Sequence, residues 1–125
     1  MPVAIKRAYE RAATEDGYRV LVDGLWPRGM TRQQLKIDVW MKEIAPSGSL
    51  RKWYGHDPKK WEGFRKKYRT ELSQAPRKAL LDELVERARK EQVTLVFGAR
   101  DAGRSNAAVI AEMIHRKLWA CVPPA

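Results

Sequence analysis

The stretch Tyr18 to Trp26, YRVLVDGLW, decides how this 125-residue chain is read. Its valines and leucines run almost without interruption, the pattern of a strand buried on both faces. Pro27-Arg28-Gly29 ends the run, because proline cannot donate to a ladder and Gly29 permits a tight turn. Val93 to Ala99, VTLVFGA, is a second run of the same kind. Val3 to Tyr9 reads as a third strand, of mixed apolar and basic residues. The polar connection Glu10 to Gly17 closes on Asp16-Gly17, a common turn pair.

Helical signals fill the intervals. Thr31 followed by Gln34 matches a capping box and predicts a helix start. From Leu35 to Met41 two patterns coexist: Leu35, Ile37, Val39 and Met41 alternate as in a strand, while Leu35, Val39 and Trp40 share a helical face. Ser47 is placed to cap a short helix through Trp53 that Gly55 ends, and Asp57-Pro58 opens another. Trp61, Phe64, Tyr68 and Leu72 recur at helical spacing and define an inward stripe of core rather than a platform for bases. Lys59, Lys60, Arg65, Lys66, Lys67 and Arg69 occupy the other faces. Pro76 breaks this run, and Leu80, Leu81, Leu84, Val85 and Ala88 stripe the next helix. A last helix, from about Asn106 to Trp119, buries Ile110, Met113, Ile114 and Leu118, and the tail from about residue 120 should be irregular. No repeat or linker interrupts the chain. Strands separated by helices predict one α/β domain over residues 1–125, a small, mostly parallel sheet of three to four strands with helices packed on its faces.

Composition narrows the class. Hydrophobic residues at 44% and charged residues at 32% give a globular chain, and no apolar run approaches the roughly 20 residues that cross a bilayer. No partnership with a membrane is expected. One cysteine, Cys121, permits no internal disulfide, has no acidic or histidine neighbour in sequence, and makes a reducing, cytoplasmic setting the default. With two histidines, His56 and His115, no metal constellation is expected, and no cofactor either. The net charge of +10 attracts nucleic acid, acidic membranes, phosphorylated metabolites and acidic proteins alike, so it sets a field without choosing a partner.

Ligands of open α/β sheets bind beyond the carboxyl ends of parallel strands. Two strands here finish on charged groups: VLVDGLWPRG supplies Asp23, Trp26 and Arg28, and LVFGARDAGRSN supplies Arg100, Asp101, Arg104, Ser105 and Asn106. A carboxylate in an aliphatic strand needs a cationic or backbone partner, and Arg28 and Arg100 are the evident cations for Asp23. Two readings stay open. In one, Asp23 and an arginine form an ion pair that fixes the turn. In the other, the arginines hold an anion bidentately while Asp23 or Asp101 handles a proton, with amides at the helix start near Asn106 assisting. A second cluster, in APSGSLRKWYGHDP, holds Ser47, Arg51, Trp53 and His56, where His56 either packs beside the helix start or acts as acid and base. No GxSxG elbow, Walker A loop or GxGxxG fingerprint occurs.

GYRVLVDGLWPRGMTRQQ, VWMKEIAPSGSLRKWYGHDPKKWEGFRKKYRTEL and VTLVFGARD, in this order and spacing, resemble the YeaO-like group of bacterial proteins, domain of unknown function 488, over roughly residues 3 to 115. The resemblance implies a compact α/β domain in a bacterial cytoplasm and carries no substrate or reaction with it. Its blocks fall on Asp23, Trp26, Pro27, Arg28 and Gly29, then on Trp40, Lys42, Pro46 and Ser47. They continue on Leu50, Arg51, Trp53, Gly55, His56 and Asp57, and end on Asp101 and Asn106. Two positions depart from the pattern: relatives usually carry a basic residue at Gly24 and a histidine at Ala107.

Three functions are therefore expected to compete. The first is an enzyme or binder for an anionic small molecule, with Arg28, Arg51 and Arg100 on the anion, Asp23 orienting them and His56 as acid or base. Its ligand contacts would extend to Trp26, Ser47, Trp53, Asp101 and Asn106. The second is a nucleic-acid-binding module on the basic helix Lys59 to Arg69. The third is an interaction subunit using Trp40, Trp53 and Trp61, with no oligomeric state specified.

Overall fold

The computed structural model describes residues 2–120, the side chain of Ala120 excepted, so the tail and Cys121 lie outside the described residues. Four strands, β1 (Val3–Arg7), β2 (Tyr18–Leu21), β3 (Val39–Trp40) and β4 (Val93–Phe97), form one sheet in the order β1-β4-β2-β3. Every pair is parallel. The helices are α1 (Arg32–Leu35), α2 (Gly48–Tyr54), α3 (Trp61–Leu72), α4 (Arg77–Ala88) and α5 (Asn106–Ala120). The expected α/β class and parallel sheet are thus present, and the ambiguous stretch resolves into the two-residue edge strand β3.

The alternation of side chains across β2 and β4 builds two cores of unequal size. Val20, Val93, Leu95 and Phe97, with Val22 just beyond β2, face a large cluster completed by Phe64, Tyr68, Leu72, Leu81, Leu84 and Ile110 from α3, α4 and α5. Leu21 and Val96 face a smaller cluster with Leu35 and Ala8, covered by the single turn α1 and by Trp26, Met30 and Trp40. Full burial of each such side chain contributes roughly 1.5–3 kcal/mol, which explains why both runs are predominantly apolar.

The thin face needs polar support. Arg19, 4% exposed, bonds the Asp16 carboxylate at 2.6 Å and the Leu35 carbonyl at 2.7 Å, and Lys6 reaches Asp16 at 3.1 Å. The turn pair read from the sequence is therefore also an ionic hub beneath the sheet. Burial raises the Asp16 pKa, but the Ala13 amide, Lys6 and Arg19 outweigh it and hold the carboxyl below its usual value.

Candidate functional site

Ladder geometry places Asp23. Leu21 pairs with Val96, the Val22 amide still donates to the Val96 carbonyl at 3.0 Å, and one step later Asp23 leaves β2 beside the end of β4. There the Gly98 amide donates to Asp23 Oδ2 at 2.8 Å. Trp40 Nε1 holds the Asp23 carbonyl at 2.7 Å, and Asn106 Nδ2 holds the Val22 carbonyl at 3.1 Å. The strand end is thus fixed from β3, β4 and α5 together.

Helix α2 brings the second cluster to the same place. The Ser47 hydroxyl accepts the Leu50 amide at 3.2 Å and donates to Glu71 Oε2 at 2.5 Å, which ties the start of α2 to α3. Leu50 and Tyr54 turn into the core, while Arg51, Lys52 and Trp53 face outward. Gly55 (φ 53°) ends the helix in the left-handed region, and His56 (φ 57°) follows in the same region. A bulky residue there carries a backbone cost of about 1–2 kcal/mol, a strain that concentrates at functional sites. The His56 ring lies 5.9 Å from that of Tyr54, whose hydroxyl donates to the Arg104 carbonyl at 3.0 Å and pins the loop after β4.

Between these elements lies a cleft of about 400 Å³. Asp23, Arg51, His56, Arg104 and Asn106 supply its polar lining, and Tyr54, Phe64, Ala45, Pro46 and Leu25 its apolar walls. Burial pushes the Asp23 carboxyl above the usual carboxylate value, against the opposing pull of the Gly98 amide, the Asn106 side chain, Arg51 and His56. A half-buried carboxyl set under a rim of cations can accept a hydrogen bond from a ligand whose anionic end meets the rim.

The structure sorts the expected site residues. Asp23, Arg51, His56 and Asn106 converge on the cleft. Arg28 and Arg100 are exposed, and neither is the partner of Asp23; that place belongs to the Gly98 amide and the nearby charge of Arg51. The reason for Arg28 is local. Trp26 Nε1 donates to the Met30 carbonyl at 2.6 Å and Trp26 packs edge-on against Trp40, which curls residues 26–30 over the thin face of the sheet. Asp101 pairs with Arg104 at 2.9 Å, and Ser47 is engaged as a helix cap. Of the helix-start amides near Asn106, that of Ala108 is taken by the Ser105 hydroxyl at 3.2 Å. Trp40 and Trp61 pack into the domain's own clusters, and Trp53, 38% exposed, lies on the outer side of α2.

Sequence reasoning passed over Tyr54 and Phe64 as cleft walls. The signal was present: Tyr54 stands one helical turn beyond Arg51, and its ring stacks 4.3 Å from that of Phe64. At the two departures from the family pattern, Gly24 lines the cleft and Ala107 is fully buried in the first turn of α5.

A parallel α/β domain with a polar cleft at its strand carboxyl ends is the class that fold and site define. The family described as the inactive DUF488-N3 subclade matches residues 2–121, so the chain belongs to the DUF488 family. It is 38% identical to the uncharacterised protein YeaO of Escherichia coli over 115 residues, 92% of this chain and 98% of that one. It is likewise 38% identical over 113 residues to the uncharacterised proteins Rv3073c of Mycobacterium tuberculosis and Mb3100c of Mycobacterium bovis, covering 90% of this chain and 93% of each of theirs. No solved structure matches the chain.

Proposed function

We propose that the chain binds a small anionic molecule in the cleft between α2 and the ends of β2 and β4, and that it recognises rather than transforms it. The observation that carries this reading is the convergence of Asp23, Arg51, His56 and Asn106, from three separate segments, on one cleft. Arg51 and His56 would meet the anion at the rim, and Asp23 would accept a hydrogen bond from an N–H or O–H of the ligand. Two features favour recognition. The hydroxyls on the lining are committed, Ser105 to the Ala102 carbonyl at 2.8 Å and Tyr54 to that of Arg104, so neither is poised as a nucleophile. The matching subclade, moreover, is described as inactive.

Titration with inorganic phosphate and a simple phosphomonoester, followed by amide chemical shifts, tests the reading. Gly98, Ala99, Arg51 and His56 should shift together, and Arg51→Gln should weaken the effect about tenfold, the loss of one charge-assisted contact. Shifts confined to α4 and α5, or none, would sink it.

A further inference from the structure

The basic residues of this chain are not distributed alike. On α4, α5 and the inner side of α3 most of them meet carboxylates: Arg65, Arg69 and Arg116 surround Glu112, Lys78 and Lys117 share Asp82, and Arg87 meets Glu91, while Arg77 bonds the Ala45 carbonyl. Residues 51–67 hold seven basic and two acidic side chains. Within them Arg51, Lys52, Lys59, Lys60, Lys66 and Lys67 have no carboxylate in ion-pair range among the described residues. The acidic pair of that stretch is already occupied, with Glu62 on Arg65 and Asp57 capping the turn at Lys59.

An aromatic ring lies in this unmatched field. Trp53 rests against Gly63, where a Cβ would come within 2.7 Å of the indole, so the ring beds down on α3 only because position 63 is bare. Lys60 and Lys67 stand 5.3 and 5.0 Å from its centroid. With Leu50 and Tyr54 inward, the exposed residues between them on α2 are Arg51 on the cleft, then Lys52, then Trp53 with its two lysines.

We propose that this strip, from Trp53, Lys60 and Lys67 across Lys52 to Arg51, is a docking track for single-stranded nucleic acid, and that the cleft takes one nucleotide unit of the bound strand. The proposal rests on the cleft reading above and names its ligand class. Lysines flanking one flat ring suit alternating phosphates and bases, and a base stacking on Trp53 releases an ammonium group to a phosphate. The cleft of about 400 Å³ is of the size that holds a single small ligand, and a duplex keeps its bases stacked away from such a site. An anionic membrane fits less well, because Trp53 is the sole large apolar side chain exposed on the strip among the described residues.

Fluorescence anisotropy of a labelled oligothymidylate, with the intact protein, tests the inference. Binding should tighten as salt falls, with a log–log slope of about −0.7 per phosphate contacted. Lys60→Gln with Lys67→Gln should weaken it at least tenfold and make the slope shallower. Lys78→Gln with Arg87→Gln, on the carboxylate-matched surface, should change it less than twofold. An oligothymidylate held no more tightly than thymidine monophosphate would overturn the track while leaving the cleft reading intact. Strand binding that leaves the Gly98 amide unshifted would overturn delivery to the cleft. Equal or tighter binding to phosphatidylserine vesicles, to polyglutamate or to the matching duplex would overturn the assignment to single strands.

Discussion

Asp23 combines a fixed hydrogen bond with an environment that resists its charge. Its folded-state pKa is raised, chiefly by burial, so its contribution to stability is fully present below the unfolded carboxylate value and is lost as pH rises through the folded one. Asp23→Asn keeps an acceptor for the Gly98 amide and removes the charge. The variant should be at least as stable as the parent at neutral pH, its advantage vanishing in acid, while ligand shifts at Gly98 disappear; urea unfolding across pH measures the first and amide titration the second. Asp16 behaves in the opposite sense. Its folded pKa is lowered, so its stabilisation is present above the unfolded carboxylate value and is lost as pH falls through the folded one. Asp16→Asn strands the buried guanidinium of Arg19 and should cost about 3–5 kcal/mol in denaturant unfolding. His56→Gly relieves a left-handed side chain and should stabilise the fold by about 1 kcal/mol while weakening anion binding, a split that differential scanning calorimetry and titration would resolve.

At the scale of elements, caps were the best-preserved signal in the sequence. The Thr31–Gln34 box, the Ser47 cap with Gly55, and Asp57 before Pro58 all occur as read, because each depends on neighbours two to four residues away. Ser47→Ala should therefore cost about 1 kcal/mol in thermal unfolding and leave phosphate titration of the cleft unchanged, since its hydroxyl serves Leu50 and Glu71. What could not be read is anything set by the order of strands. Asp23 finds the Gly98 amide only because β2 and β4 are neighbours in register, and a sequence separation of 75 residues leaves no local trace of that. The same holds for Arg28: the charge was legible, but the indole bond from Trp26 to Met30 that aims it away from the cleft is a product of packing.

Across the whole molecule, the cations behind the net charge of +10 differ in what they meet. Most cations of α4 and α5 are matched by Glu112, Asp82 and Glu91, whereas those of α2 and of the turn before α3, with Lys66 and Lys67, project an open field past the cleft. Such a field raises encounter rates with anions, and the gain fades once salt shortens the Debye length to about 10 Å at 0.1 M. Association of phosphomonoesters should accordingly slow with ionic strength more than dissociation quickens, which stopped-flow measurement at several salt concentrations would separate. The composition disclosed the charge; only the fold shows which cations have a carboxylate beside them.

The strand order has a consequence for how the chain comes into being. β4 lies between β1 and β2, bonding to both, yet it is the last strand of the sheet to be synthesised. A nascent chain that has emerged only through α4 holds β1 and the β2–β3 pair with an empty slot between them, and nothing local can close it. A fragment of residues 1–90 should therefore lack cooperative unfolding by circular dichroism, and the complete chain should refold at the slower pace of topologies built on distant pairings. Until Val93–Phe97 arrives, the apolar faces of β1 and β2 stand open, and the unfinished chain carries the exposed surface on which misfolding and aggregation begin.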